Sequence, residues 1–170
     1  MAEVKSLTRK RENITGLTTF LLLVGIATAA PLIKQQAITG PIVNATLFIA
    51  VIFLGTQNAI LIGLLPSVIA LSVGLLPLPL APMIPFIVTG NAILSIVFGY
   101  FKEKNYWLGV VVGSLLKFLF LFFSSSIVIN LILKKEIAQK VTVMMSWPQF
   151  LTALSGGIVA FLALKIIKRI

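Results

Sequence analysis

Between Lys34 and Lys102 the chain carries no charged side chain, a run of 67 residues. A single helix of that length would measure about 100 Å, roughly three times the hydrocarbon thickness of a bilayer. The run must therefore fold back on itself, and its prolines and glycines mark where. A water-soluble domain is about one-quarter charged, whereas these 170 residues are 11% charged and 59% hydrophobic. Polar surface is too scarce to cover a soluble globule, which excludes a cytosolic enzyme, a secreted domain and a disordered segment. The expected fold is an all-α integral membrane protein, six transmembrane helices in one bundle with no extramembrane domain.

The apolar runs place spans at 15–33, 41–55, 58–75, 84–101, 106–131 and 147–167. Six crossings put both termini on one side. That side collects Lys5, Arg9, Lys10, Arg11, Lys102, Lys104, Lys165, Lys168 and Arg169, against Lys34, Lys134, Lys135 and Lys140 on the other. The excess of basic residues predicts cytoplasmic termini. The net charge of +10 thus orients the chain, with attraction to membrane lipid as a side effect. No basic run interleaved with aromatics exists to track phosphates, so nucleic acid is not an expected partner.

One basic residue falls outside this scheme. Lys117 lies ten residues past Trp107, about 15 Å along a helix, which is near mid-bilayer. A charge there costs at least about 2.5–3.5 kcal/mol. The four carboxylates, Glu3, Glu12, Glu103 and Glu136, all sit in flanks or loops. Three arrangements satisfy such a lysine: a neutral amine, contact with carbonyls and water, or a ligand bringing the negative charge. Gly109, Gly113 and Lys117 share one helix face, Phe120 borders it, and Leu121, Ser124 and Ser125 continue it.

Polar residues are distributed one-sidedly. Asn44, Asn91, Ser124, Ser125, Ser126, Asn130, Trp147, Gln149 and Thr152 map to the middle or outer half of their spans, and Gln35, Gln36 and Thr39 to the first outer loop. They serve either helix contacts or a pocket open to the outside. Residues 75–85 hold Pro77, Pro79, Pro82 and Pro85, half of the eight prolines. The segment is read as a non-helical apolar cover over the outer mouth, or as a plain connector. Small residues at helical spacing, Ala153, Gly156, Gly157, Ala160 and Ala163 in span six and Gly25 and Ala29 in span one, suit close helix contact.

Several chemistries are excluded. There is no Cys and no His, so thiol and imidazole catalysis, and metal sites built on those residues, are not expected. No Gly-x-x-x-x-Gly-Lys-Ser/Thr loop is present for ATP hydrolysis. No cofactor and no enzymatic activity are expected.

The stretches Gln36-Ala-Ile-Thr-Gly-Pro-Ile-Val-Asn44, Leu64-Leu-Pro-Ser-Val-Ile-Ala70, Ala81-Pro-Met-Ile-Pro-Phe86 and Gly90-Asn-Ala-Ile93, on a six-span chain of this size, resemble the substrate-binding S components of energy-coupling factor transporters. The resemblance implies a prokaryotic plasma-membrane protein that captures a vitamin-like nutrient in an outer cavity. Separate ATPase subunits and a transmembrane coupling subunit would supply the energy. It also implies docking of the coupling subunit on Gly25-Ile-Ala-Thr-Ala29, although the family's small-residue pair stands earlier in the helix. The metal-binding members' N-terminal His has no counterpart here.

The reading that follows is a high-affinity binding subunit for a small anionic or carboxylate-bearing nutrient. Lys117 would meet the charge, Asn44, Asn91 and Gln36 would contribute hydrogen bonds, and Phe120 and Trp147 would form apolar walls. Loops 34–40 and 75–85 would close over the ligand. The alternative is a non-transporting scaffold that binds another membrane protein through its small-residue faces, with Lys117 paired to a partner's acid. A self-contained channel or carrier is disfavoured, because charged pathway and repeat halves are both missing.

Overall fold

The computed structural model describes residues 2–132 and 142–168, with side chains described for 14–78, 80–128 and 142–168. Among them there is no strand; six helices run α1 Ala2–Ala29, α2 Gln36–Leu54, α3 Thr56–Ser72, α4 Ile84–Phe101, α5 Tyr106–Ile132 and α6 Trp147–Ile166. Short 3₁₀ turns, Ala30–Ile33 and Leu78–Met83, join α1 to α2 and α3 to α4. Five segments are long and apolar enough to cross a membrane: Ile14–Ile33, Gln36–Leu54, Leu80–Phe101, Tyr106–Val128 and Thr142–Ile166. The 17-residue α3 is also apolar but shorter. This is a multi-pass helical membrane protein, with Leu17, Leu21, Ile96, Val111 and Leu162 among its exposed apolar side chains.

Three boundaries differ from those read in the sequence. Pro41 was expected to open the second span, yet α2 already begins at Gln36 and carries Pro41 inside it. Proline forfeits one backbone bond there, but the added turn is held from outside, since the Thr39 hydroxyl donates to the Ala30 carbonyl at 3.0 Å. Residues 36–40 are therefore helix and not a closing loop. The third span runs over Thr56–Ser72 and stops short of residue 75. The proline-rich segment, expected to be non-helical, forms a 3₁₀ turn. Its bonds run from Leu80 N–H to Pro77 O (2.8 Å) and from Ile84 N–H to Ala81 O, using only the amides that the prolines leave. It is anchored, not merely laid across the end: Leu76, Leu80 and Met83 are buried with Leu121, Val128 and Met145.

Two packed regions result. One joins Leu47, Phe48, Val51, Leu94, Phe98 and Val110 from α2, α4 and α5, with Ala153 and Ala160 of α6. The other is the cluster under the 3₁₀ turn. The α2–α6 pairing is the most extensive, followed by α4–α5. The small residues Ala153, Gly156, Gly157 and Ala160 are all buried, so this face of α6 serves internal packing. Gly109 and Gly113 lie against Phe98 and Leu94, which brings α5 close to α4. Lys34 lies on the exposed α1–α2 link, while Lys134, Lys135 and Lys140 fall outside the described residues.

Candidate functional site

Between the two packed regions, Lys117 projects from α5 toward α2 and α4. Its Nζ donates to Asn44 Oδ1 at 2.6 Å and to Asn91 Oδ1 at 2.8 Å. All three side chains are 2–3% exposed. Each asparagine is itself tethered. Asn44 Nδ2 donates to Gly40 O of its own helix at 2.8 Å, and Asn91 Nδ2 crosses to Gly63 O of α3 at 3.0 Å. With one N–H of each amide anchored in this way, the carbonyl ends of both side chains are turned toward the lysine.

Glycines permit this convergence. A Cβ on Gly156 would sit 2.6 Å from the Asn44 Cβ and 2.9 Å from the Pro41 carbonyl, so only glycine lets α6 lie against α2 at that level. On α3, a Cβ at Gly63 would come within 3.1 Å of the Asn91 Cβ. That close approach is what puts the Gly63 carbonyl in reach of the Asn91 amide.

The lysine borders a cavity of about 70 Å³. Gln36, Thr39, Asn44, Ser67, Asn91, Lys117 and Gln149 contribute its polar lining. Pro31, Val43, Ala70, Leu76, Ile87, Met144 and Met145 contribute apolar wall. Its position follows from the chain. Asn44 precedes the packed residues Leu47 and Phe48 on α2, Asn91 precedes Leu94 and Phe98 on α4, and Lys117 follows Val110 on α5. The cavity thus occupies the end of the bundle where α1 meets α2 and α3 meets α4. Among the described residues no carboxylate lines it, and no His/Cys/Asp/Glu group suited to a metal ion exists.

Four of the predicted site residues, Lys117, Asn44, Asn91 and Gln36, share this cavity. Phe120 and Trp147 do not line it. Phe120, three positions past Lys117, is rotated toward α4 and packs against Phe86 at 6.4 Å between ring centroids and on the second cluster. Trp147 opens α6, is 64% exposed and stacks on Phe118 at 5.2 Å, as suits an aromatic near a membrane interface. Gly25 and Ala29 are exposed on α1, and a Cβ on Gly25 would meet nothing within 4 Å.

Ser67 was not singled out as a site residue from the sequence. It is 5% exposed, lines the cavity, and its Oγ has no hydrogen-bond partner among the described residues. Nothing marks it in the sequence, because a helical serine usually satisfies itself on its own backbone.

No protein-family model, curated protein or solved structure matches this chain.

Proposed function

We propose that the protein is the membrane-embedded binding subunit of a nutrient-uptake system, and that its ligand is a small anion held by Lys117. The observation that carries this reading is the lysine itself. A buried lysine beside a cavity, given two neutral acceptors and no acid among the described residues, has one N–H of its ammonium form left to offer. A structural lysine is ordinarily paired with a carboxylate or led to an interface. This one is held in place with no counter-charge among the described residues, an arrangement in which an incoming anion would stabilise its ammonium form.

The rest of the proposal is drawn from the sequence. Six crossings with cytoplasmic termini, as the charge distribution predicts, would put the cavity on the outer side, where a nutrient would be captured in a prokaryotic plasma membrane. Coupling and ATPase subunits would be needed, since the sequence carries no nucleotide-binding loop. The exposed Gly25 and Ala29 on α1 offer one surface for the coupling subunit.

The test is Lys117→Met, read for binding and melting temperature on one preparation. Native mass spectrometry of the unmodified protein in detergent first looks for a retained small molecule. Loss of one partner of a desolvated, hydrogen-bonded charge pair costs about 2–5 kcal/mol, or roughly 30- to several-thousand-fold in affinity. The fold should persist with a modestly lower melting temperature, because two buried asparagine carbonyls lose their donor while the cost of burying the lysine is removed. Undiminished anion binding by Lys117→Met refutes the reading.

A further inference from the structure

The polar groups of the cavity differ in what they still have to give. One N–H of each asparagine amide goes to a carbonyl, and both amide oxygens accept from Lys117. Thr39 donates to Ala30 O, and Gln149 Nε2 donates to Met144 O at 3.1 Å. Ser67 is the buried side chain of the cavity with no hydrogen-bond partner among the described residues, and a protonated Lys117 has a third N–H beyond its two bonds.

The Ser67 vacancy has a local cause. A helical serine donates to the carbonyl four residues back, as Ser95 does to Asn91 O at 2.9 Å and Ser72 to Val68 O at 3.0 Å. For Ser67 that carbonyl belongs to Gly63, which already receives the Asn91 side-chain amide. The carbonyl nearest to hand for Ser67 is thus already engaged by the amide that turns Asn91 toward the lysine, and both side chains border the same cavity.

We infer that the ligand is a small organic monocarboxylate, whose two oxygens are shared between Lys117 and Ser67. The inference rests on the binding-subunit reading and narrows it to a substrate class. Charge sets the first limit. A protonated Lys117, with no acidic lining residue among the described ones, balances one negative charge, whereas a dianion would bring a second, uncompensated one. Size sets the next. The cavity of about 70 Å³ holds roughly five or six water-sized groups. The three heavy atoms of the carboxylate take part of that, leaving room for roughly two or three further carbons. Polarity sets the third, because Val43, Leu76, Ile87 and Met145 present apolar surface suited to an alkyl body.

The experiment uses the full chain in detergent, at constant ionic strength set with sodium sulfate. Thermal unfolding and titration calorimetry are run with propionate, butyrate, octanoate, butyramide, butylamine, phosphate and chloride. Butyrate and propionate should stabilise the protein saturably. Butyramide, butylamine and phosphate should not, and chloride and octanoate should bind more weakly. Losing a hydrogen bond to a charged acceptor predicts about 10- to 100-fold weaker butyrate binding for Ser67→Ala. Ser114→Ala is the control. It removes the other buried hydroxyl without a partner, which does not line the cavity, and should leave affinity unchanged. The probe series on the unmodified protein decides without any variant having to fold.

The inference is overturned if butyramide binds as tightly as butyrate, if chloride or octanoate binds more tightly, or if Ser67→Ala binds butyrate normally. If no monocarboxylate binds while mass spectrometry finds a larger or differently charged molecule, the binding-subunit reading survives and the substrate class falls. Absence of any ligand by both methods removes both.

Discussion

Lys117 has amides for neighbours where most buried lysines have acids, and this choice makes its pairing reversible. A carboxylate at position 44 or 91 would neutralise the ammonium permanently; an amide orients it and leaves its charge available. Asn44→Asp tests the distinction, because it keeps the side chain's size while supplying an internal counter-ion. Its melting temperature should be held or raised, and butyrate binding should fall more than tenfold. Asn91→Leu should act differently. It strips an acceptor from Lys117 and orphans donor capacity inside the bundle, at about 1–3 kcal/mol per unsatisfied group. A lower melting temperature in thermal unfolding is therefore expected, with binding weakened as well. The lysine was legible in the sequence because a charge within a long apolar span has few inexpensive resting places. Ser67 was not, since only the arrival of Asn91 from another helix takes away the carbonyl that a serine would use. Phe120 and Trp147 were misplaced for a similar reason. Sequence spacing puts them near the lysine, but the direction in which each side chain packs depends on Phe86 and Phe118.

At the level of elements, apolar runs located the helices well and prolines located their ends poorly. Pro41 suggests a helix start in isolation, yet the turn before it is retained by the Thr39–Ala30 bond made with another segment. Four prolines in residues 75–85 suggest the absence of helix. Their spacing nevertheless leaves amides where 3₁₀ bonds need them, and leucines where the second cluster can bury them. The small residues of α1 and α6 look alike in sequence and fare oppositely in the bundle. Gly156→Ala forces a Cβ against Asn44 and should destabilise by about 1–3 kcal/mol, read as a lower melting temperature. Gly25→Leu adds bulk where nothing stands within 4 Å and should leave melting unchanged. If that face docks the coupling subunit, the same variant should fail to co-purify with it.

For the whole molecule, the orientation that the charge distribution predicts is open to direct measurement, because the chain has no cysteine of its own. Single cysteines at exposed Lys34 and Lys104 should differ toward a membrane-impermeant maleimide applied to intact cells. Lys34→Cys should label from outside, and Lys104→Cys only after lysis. Labelling of both from outside would contradict cytoplasmic termini. Function should also divide between this chain and its partners: reconstituted alone in vesicles, the protein should bind butyrate without accumulating it.

The uncancelled lysine has an electrical consequence. With a monoanion bound to a protonated Lys117, the site would be neutral, so any displacement of the loaded site through the membrane potential would do almost no electrical work. Empty and protonated, the same site would carry one positive charge, and moving it outward across an inside-negative potential would require up to about 2.3 kcal/mol per 100 mV. Delivery of the ligand would then be indifferent to voltage, while resetting the vacant protein would be the voltage-sensitive step.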